Sequence, residues 1–78
     1  MQATELIELL ESLKEEEDLP RQVQLKVDEM IFVLGENIDL ELRVDRVRSI
    51  LDDLEEQPNL PNYVRTQLWH ITASLEML

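Results

Sequence analysis

The sequence predicts an all-α protein built from two tandem helical hairpins, a HEAT-like pair that closes into one compact four-helix unit. Four segments place apolar residues at helical spacing. The chain of 78 residues contains one Gly and three Pro, which leaves little turn material beyond short loops. The second half of the chain also repeats the apolar pattern of the first half. The length fits a single all-helical domain over residues 1–78.

The first hairpin is predicted to contain one helix over Ala3–Glu16 and a second over Pro20–Leu34. Proline is tolerated in the first turn of a helix, where its missing N–H has no partner to lose. Asp18 is the expected cap of the second helix, and Gly35 is expected to end it in the left-handed conformation. The inward-facing positions of this hairpin are apolar: Leu6, Ile7, Leu9, Leu10, Leu13, Val23, Val27, Met30, Ile31 and Leu34.

The second hairpin is predicted to contain a helix from Asp39 or Leu40 to Gln57 and a helix over residues 60–78. Pro58 ends the first of these helices, and Asn59 is the expected cap of the second. The inward-facing positions are again apolar: Val44, Val47, Ile50, Leu51, Leu54, Val64, Leu68, Ile71 and Leu75.

The two hairpins match each other along their length. Leu60-Pro61 stands 41 positions after Leu19-Pro20, and this offset places apolar residues on apolar residues at nearly every inward-facing position. We therefore expect one repeat at about residues 3–34 and another at about residues 44–75. A helical hairpin repeating at this period resembles HEAT-type repeats. Two copies are fewer than an open stack needs, so the hairpins must close on each other or dimerise.

The composition is strongly acidic, with a net charge of −11. This charge repels phosphate backbones, so binding of nucleic acid over the whole surface is not expected. It fits a partner with a basic face or a salty cytoplasm. The chain has no Cys, no apolar run of about 20 residues and no basic leader, so we expect a cytoplasmic protein without a membrane span or signal peptide.

Acidic residues cluster at the end of the first helix in each hairpin, over residues 15–18 and 52–56. The repeat predicts that these two clusters lie near one edge of the fold. Acids at a helix C-terminus oppose the helix dipole, which suggests a basic partner or a cation-rich medium. A solvated acidic face is the alternative interpretation.

Several residues of the second half occur in an order typical of a known family. They are Arg43-Val44, Ser49-Ile50-Leu51-Asp52, Pro58-Asn59-Leu60-Pro61, Val64-Arg65-Thr66 and Trp69. This pattern resembles an archaeal family of unknown function, uncharacterised protein family 0147, and the first half agrees more loosely through Leu9-Leu10 and Leu19-Pro20-Arg21. The resemblance covers nearly the whole chain. It implies an archaeal source and an all-helical fold, and it brings no activity, cofactor or catalytic residue.

The residues themselves give no catalytic or metal signature. His70 is the only histidine; Ser74, four residues later, could hydrogen-bond to it, but no third member of a catalytic set follows. No acidic residue lies one turn from His70, so a metal site is not expected there. We predict a protein that is not an enzyme and that has no cofactor.

Three arginines cluster near the start of the third helix: Arg43, Arg46 and Arg48. Arg43 and Arg46 are one turn apart and could hold an anion at the helix N-terminus. Pairing with Glu36, Asp39 or Glu41 within the chain is the alternative. The three arginines are our candidate contact for an anion or a partner.

The candidate interface consists of Trp69, Ala73 and Met77 on the fourth helix and Phe32 on the second. Trp69 lies off the inward-facing stripe, and its repeat counterpart is Asp28, so the hairpin itself does not demand an aromatic residue there. These residues either pack between the two hairpins or form an external surface, such as a homodimer interface.

The function predicted from the sequence is therefore a small acidic protein-interaction module whose partner is unknown. The alternative is an accessory factor of a ribonucleoprotein or of the translation machinery, which would touch RNA through the three arginines.

Overall fold

The computed structural model describes residues 3–78, which form four α-helices without a strand. The helices are α1 (Ala3–Lys14), α2 (Arg21–Leu34), α3 (Leu40–Glu55) and α4 (Asn62–Glu76). Each connecting loop is short, which makes successive helices antiparallel neighbours. This confirms the predicted all-α class.

The helices form a closed ring of contacts. Each packs against the helix before and after it in the chain, and α4 returns to pack against α1. The backbones of the diagonal pairs, α1 with α3 and α2 with α4, do not approach within 8 Å (Cα to Cα) in the described part of the chain. The predicted four-helix unit is thus confirmed, while the likeness to HEAT repeats stays a prediction.

The core lies on the axis of this ring and is almost entirely aliphatic. Its buried members are Leu6, Leu10, Leu13, Leu19, Val23, Val27, Met30, Val33, Leu34, Val47, Ile50, Leu51, Leu54, Val64, Leu68, Ile71 and Leu75. Because all four helices contribute to it, the two hairpins bury their apolar stripes against each other.

The ends of the helices correspond between the hairpins. Adding 41 to the bounds of α2, residues 21 and 34, gives 62 and 75, which are the first and penultimate residues of α4. Adding 41 to the last residue of α1 gives the last residue of α3. The repeat boundaries at 3–34 and 44–75 stay a prediction.

Prolines, rather than the predicted acidic and amide side chains, stand at the N-terminal ends of α2 and α4. Pro20 and Pro61 occupy the cap positions, and their carbonyl oxygens accept hydrogen bonds from the backbone N–H groups of Gln24 (3.0 Å) and Arg65 (3.2 Å), respectively. The expectation that Asp18 and Asn59 cap these helices was wrong. A proline disfavours the helical conformation in the preceding residue, so neither helix can begin early enough for those side chains to reach its first turn.

Gly35 ends α2 in the right-handed conformation, with φ −90° and ψ −4°. The predicted left-handed terminus was wrong. The N–H of Gly35 donates to the carbonyls of Ile31 (3.2 Å) and Phe32 (3.1 Å), so the helix simply tightens as it ends. The Arg43 side chain donates a hydrogen bond to the carbonyl oxygen of Leu34 at 2.9 Å. This bond satisfies a carbonyl group at the end of α2, a task that a left-handed terminal motif would otherwise share.

None of the helices within residues 3–78 is both long and apolar enough to cross a membrane.

Candidate functional site

The outward faces of α2 and α4 expose large apolar side chains. Trp69 and Phe32 are each 71% exposed, and Met77 is 67% exposed. At 100° per residue these positions lie opposite the buried stripes of their helices. These side chains therefore do not pack between the two hairpins. They lie on the external surface of the bundle, which was the second alternative predicted from the sequence.

These side chains form two separate surfaces. We call Trp69, Ala73 and Met77 the α4 stripe, and Leu25 and Phe32 the α2 stripe. Because α2 and α4 are diagonal in the ring, the two stripes face away from each other. Phe32, which the sequence places in one candidate interface with Trp69, therefore lies on a different surface.

The α4 stripe lies on a helix without net charge. Arg65 and Glu76 are its only formally charged residues, in a chain with a net charge of −11. The three stripe positions follow each other at intervals of four residues, with the small Ala73 in the middle. Such a row is apolar, and its helix contributes no net charge.

The equivalent positions of the first hairpin are Asp28, Phe32 and Glu36, so two of the three are charged. Asp28, the counterpart of Trp69, forms an ion pair with Lys14 of α1. The counterpart of Lys14 is Glu55, which accepts a long hydrogen bond from Thr72 (3.5 Å). The hairpin fold is thus compatible with a polar pair at this position, and Trp69 is not required by it.

A groove runs between α2 and α3 beside the α2 stripe. We call it the α2–α3 groove. Val33 and Ile50 lie at its floor and keep 7% of their surfaces exposed. Two adjoining depressions share Lys26 and Asp53 and together make up its length; they are lined by Gln22, Leu25, Lys26, Glu29, Phe32, Val33, Glu36, Arg46, Ser49, Ile50, Asp53, Leu54 and Gln57.

The α1–α2 and α3–α4 loops lie at the same end of the bundle. Side chains from both loops line one small depression, including Pro20 and Leu60. This end therefore gathers eight carboxylates, which we call the acidic pole: Glu15, Glu16, Glu17, Asp18, Asp52, Asp53, Glu55 and Glu56. The same end also contains the N-termini of α2 and α4, whose partial positive charges offset part of the repulsion.

Tyr63, at the start of α4, has a pKa that is affected by two carboxylates of the acidic pole. Partial desolvation, followed by the negative charges of Asp18 and Glu16, raises the pKa of its phenol above the ordinary value of 10.0. This effect shows that the α1–α2 loop of the first hairpin lies close to the first turn of α4 in the second hairpin.

The three candidate arginines do not form one surface. Arg43 donates to the Leu34 carbonyl and so serves the end of α2. Arg46 pairs with Glu36 at 3.7 Å on the side of α3 that faces α2. Arg48 lies on the other side of α3, in a depression that also contains Leu75 and Glu76 near the end of α4.

His70 is exposed on α4, and Ser74 is buried. Within residues 3–78, no group of three or more His, Cys, Asp or Glu side chains is placed to hold a metal ion.

Some roles could not be found from the sequence alone. The α2–α3 groove lies between consecutive helices, but the depressions that form it depend on how the side chains of the two helices pack, and no motif encodes that. The hydrogen bonds from the Gln24 and Arg65 side chains to the backbone did have a signal in the sequence, because the two residues occupy equivalent positions of the 41-residue repeat. Gln24 donates to Leu19 at 3.1 Å, and Arg65 donates to Gln57 at 3.0 Å, so both brace the loop before their helix.

Comparison with known proteins agrees with this architecture. The model of a family described as uncharacterised protein family UPF0147 matches residues 2–78. The chain belongs to UPF0147. A UPF0147 protein of Methanosarcina mazei is 34% identical over 92% of this chain and 78% of its own length. A UPF0147 protein of Archaeoglobus fulgidus is 32% identical over 95% of this chain and 85% of its own length. The archaeal family indicated by the sequence is thus confirmed.

A solved structure shares the fold. The crystal structure of MMP1188, described as a protein of unknown function, superposes with a TM-score of 0.89 at 31% identity. The match covers 97% of this chain and 88% of that one. UPF0147 membership therefore gives the family and the fold, and the activity has to be argued from the surface.

Proposed function

We propose that this UPF0147 protein is a small acidic, non-enzymatic protein-interaction module that forms a homodimer through the α4 stripe. The observation that supports the proposal is the exposure of Trp69 and Met77 on a helix without net charge. Burying a large apolar side chain contributes about 1.5–3 kcal/mol. Two copies of the stripe offer four such side chains, which gives a substantial driving force for association.

A twofold pairing suits this stripe. An isologous contact brings the same patch of both copies together and aligns the two α4 helices antiparallel. With the axis near Ala73, Trp69 of one copy lies opposite Met77 of the other, each about 6 Å along the helix from the centre. The small Ala73 allows the helices to approach closely, and sulfur–aromatic contacts are favourable.

The charge distribution favours the same arrangement. An antiparallel pair places the two acidic poles at opposite ends of the dimer, so their repulsion is screened over a distance longer than the Debye length. The cytoplasmic location expected from the sequence is part of the proposal, and the lack of Cys is compatible with a reducing compartment.

Light scattering combined with size-exclusion chromatography tests the dimer. Wild-type protein at micromolar concentration should give twice the chain mass, and Trp69→Ala should give the monomer mass with unchanged helical circular dichroism. Leu42→Ala is the matched control, because Leu42 is 49% exposed on α3 outside the α4 stripe. A monomer mass for the wild type would refute self-association.

A second variant keeps the test independent of folding. Glu55→Lys with Trp69→Asp installs in the second hairpin the ion pair that Lys14 and Asp28 form in the first. This double variant should fold and remain a monomer. If it still forms dimers, the α4 stripe is not the contact.

The alternative function, an accessory factor of a ribonucleoprotein or the translation machinery, has less support. It would need a continuous basic patch, whereas Arg46 and Arg48 lie on different sides of α3 and Arg43 is engaged with α2. A net charge of −11 also opposes approach to RNA.

A further inference from the structure

The α2–α3 groove is independent of the α4 stripe and faces another direction. Leu25 and Phe32 stand along its rim at 56% and 71% exposure, and they are seven residues apart on one face of α2. Between Gln22 and Val33 the groove extends along 12 residues of α2, or about 17 Å. That length accommodates about three turns of another helix.

We propose that the α2–α3 groove binds a basic amphipathic helix of a partner protein. Helices dock in such grooves by presenting apolar residues at positions i, i+3 or i+4 and i+7. The rim residues Leu25 and Phe32 and the apolar floor at Val33 and Ile50 provide the matching apolar surface.

The charges along the groove indicate that the partner helix is positively charged. Lys26 pairs with Glu29 at 3.6 Å, and Arg46 pairs with Glu36 at 3.7 Å, so these four charges are balanced within the chain. Asp53 forms no ion pair within residues 3–78. It lies in the part of the groove that is nearest to the acidic pole. A helix with lysine or arginine residues toward this end would gain attraction there, whereas an acidic helix would be repelled.

The same charges make a second copy of this chain a poor match for the groove. The helices α1 and α3 each contain more acidic than basic residues, and α2 and α4 are neutral. None has the excess of positive charge that the acidic pole attracts. The occupant is therefore a segment of a different protein, and the α4 stripe stays available for self-association at the same time.

Fluorescence anisotropy with labelled synthetic peptides tests the proposal on the full chain. The probe is a helical peptide of about three turns with leucines at i, i+3 and i+7 and lysines toward one end. One control peptide replaces each lysine by glutamate. A second control keeps the composition and scatters the leucines around the helix.

The basic peptide should bind the wild-type protein, and both control peptides should bind at least roughly ten-fold more weakly. Phe32→Ala should weaken binding of the basic peptide by a similar factor, whereas the control Leu42→Ala, on α3 outside the groove, should leave it unchanged. Asp53→Asn should reduce both the affinity and its dependence on salt, because an ion pair is lost.

Equal binding of the peptide with scattered leucines would overturn the proposal, because it would show attraction to the acidic surface alone. Unchanged binding by Phe32→Ala with retained circular dichroism would also overturn it. These results are separable from the dimer, because peptide binding by a chain of monomer mass would refute only self-association.

Discussion

Replacing Gly35 by alanine tests the backbone at the junction of α2 and the α2–α3 loop. A glycine after a helix often adopts positive φ, where alanine is destabilising. Here φ is −90° and ψ is −4°, which alanine adopts without strain. A β-carbon at this position would lie 3.7 Å from the carbonyl oxygens of Ile31 and Phe32, which is ordinary van der Waals contact. We therefore expect Gly35→Ala to stabilise the protein.

The magnitude follows from the unfolded state. Alanine has fewer backbone conformations to lose on folding, and at a compatible position this contributes about 0.4–1 kcal/mol. For a domain of this size that corresponds to a rise of roughly 2–8 °C in Tm. Urea unfolding followed by circular dichroism measures the change, with an unchanged m-value as the sign that the unfolded state stays comparable.

Gly35→Asn separates this prediction from its opposite. Asparagine tolerates the left-handed region better than alanine does, so a left-handed Gly35 would make Asn the more stable of the two variants. The right-handed conformation makes Ala the more stable. If Gly35→Ala loses stability, or if Asn exceeds Ala, the conformation argued for the end of α2 is wrong.

Three further predictions concern charge. Added salt should raise Tm, because it screens the repulsion within the acidic pole, and a Tm that stays flat or falls would contradict this. Tyr63, the only tyrosine, should ionise above pH 10.0, and Glu16→Gln with Asp18→Asn should lower its pKa, as measured by phenolate absorbance. Because the folded state holds this proton more tightly than the unfolded chain does, the contribution of Tyr63 to stability is lost as the pH rises above 10.0. Arg43→Ala should lower the free energy of unfolding by about 1.5 kcal/mol through loss of its hydrogen bond to the last carbonyl of α2. Arg46→Ala, which removes an exposed ion pair of 3.7 Å, should cost less than about 0.5 kcal/mol, and equal losses in urea unfolding would refute the distinction.

The fold could be predicted from the sequence because its main determinants are local. Periodic apolar residues specify each helix, and short loops make successive helices antiparallel. Positions such as Leu6, Val27, Val47 and Leu68, all assigned to inward faces, are fully buried.

The helix termini were harder to predict because competing local signals exist. Asp18 is a good capping residue by type, but the proline two positions later fixes where α2 can begin. Gly35 is a typical left-handed residue, but the Arg43 side chain, eight positions away, supplies the hydrogen bond at the end of α2. A nearby proline decided the first case, whereas a tertiary contact that the sequence pattern does not display decided the second.

The candidate surfaces were predictable only in part, for a related reason. The position of Trp69 off the inward stripe left open whether it packs between the hairpins or lies on an external surface, and the structure leaves it 71% exposed. Its separation from Phe32 depends on α2 and α4 being diagonal, which follows from the closing contact between α1 and α4. Surface patches are assembled by the whole fold, whereas inward stripes are properties of single helices.

The divergence of the two hairpins supports distinct roles for their outward faces. Their inward positions have kept the same apolar character, as the buried pair Val27 and Leu68 illustrates. At an outward position the first hairpin has Asp28, tied to Lys14, and the second has the exposed Trp69. A fold that tolerates a polar pair at this position gains no stability from leaving an indole in water. The exposed indole therefore supports the proposed dimer contact, and because the first hairpin has Asp28 at this position, only the second hairpin presents an aromatic side chain there.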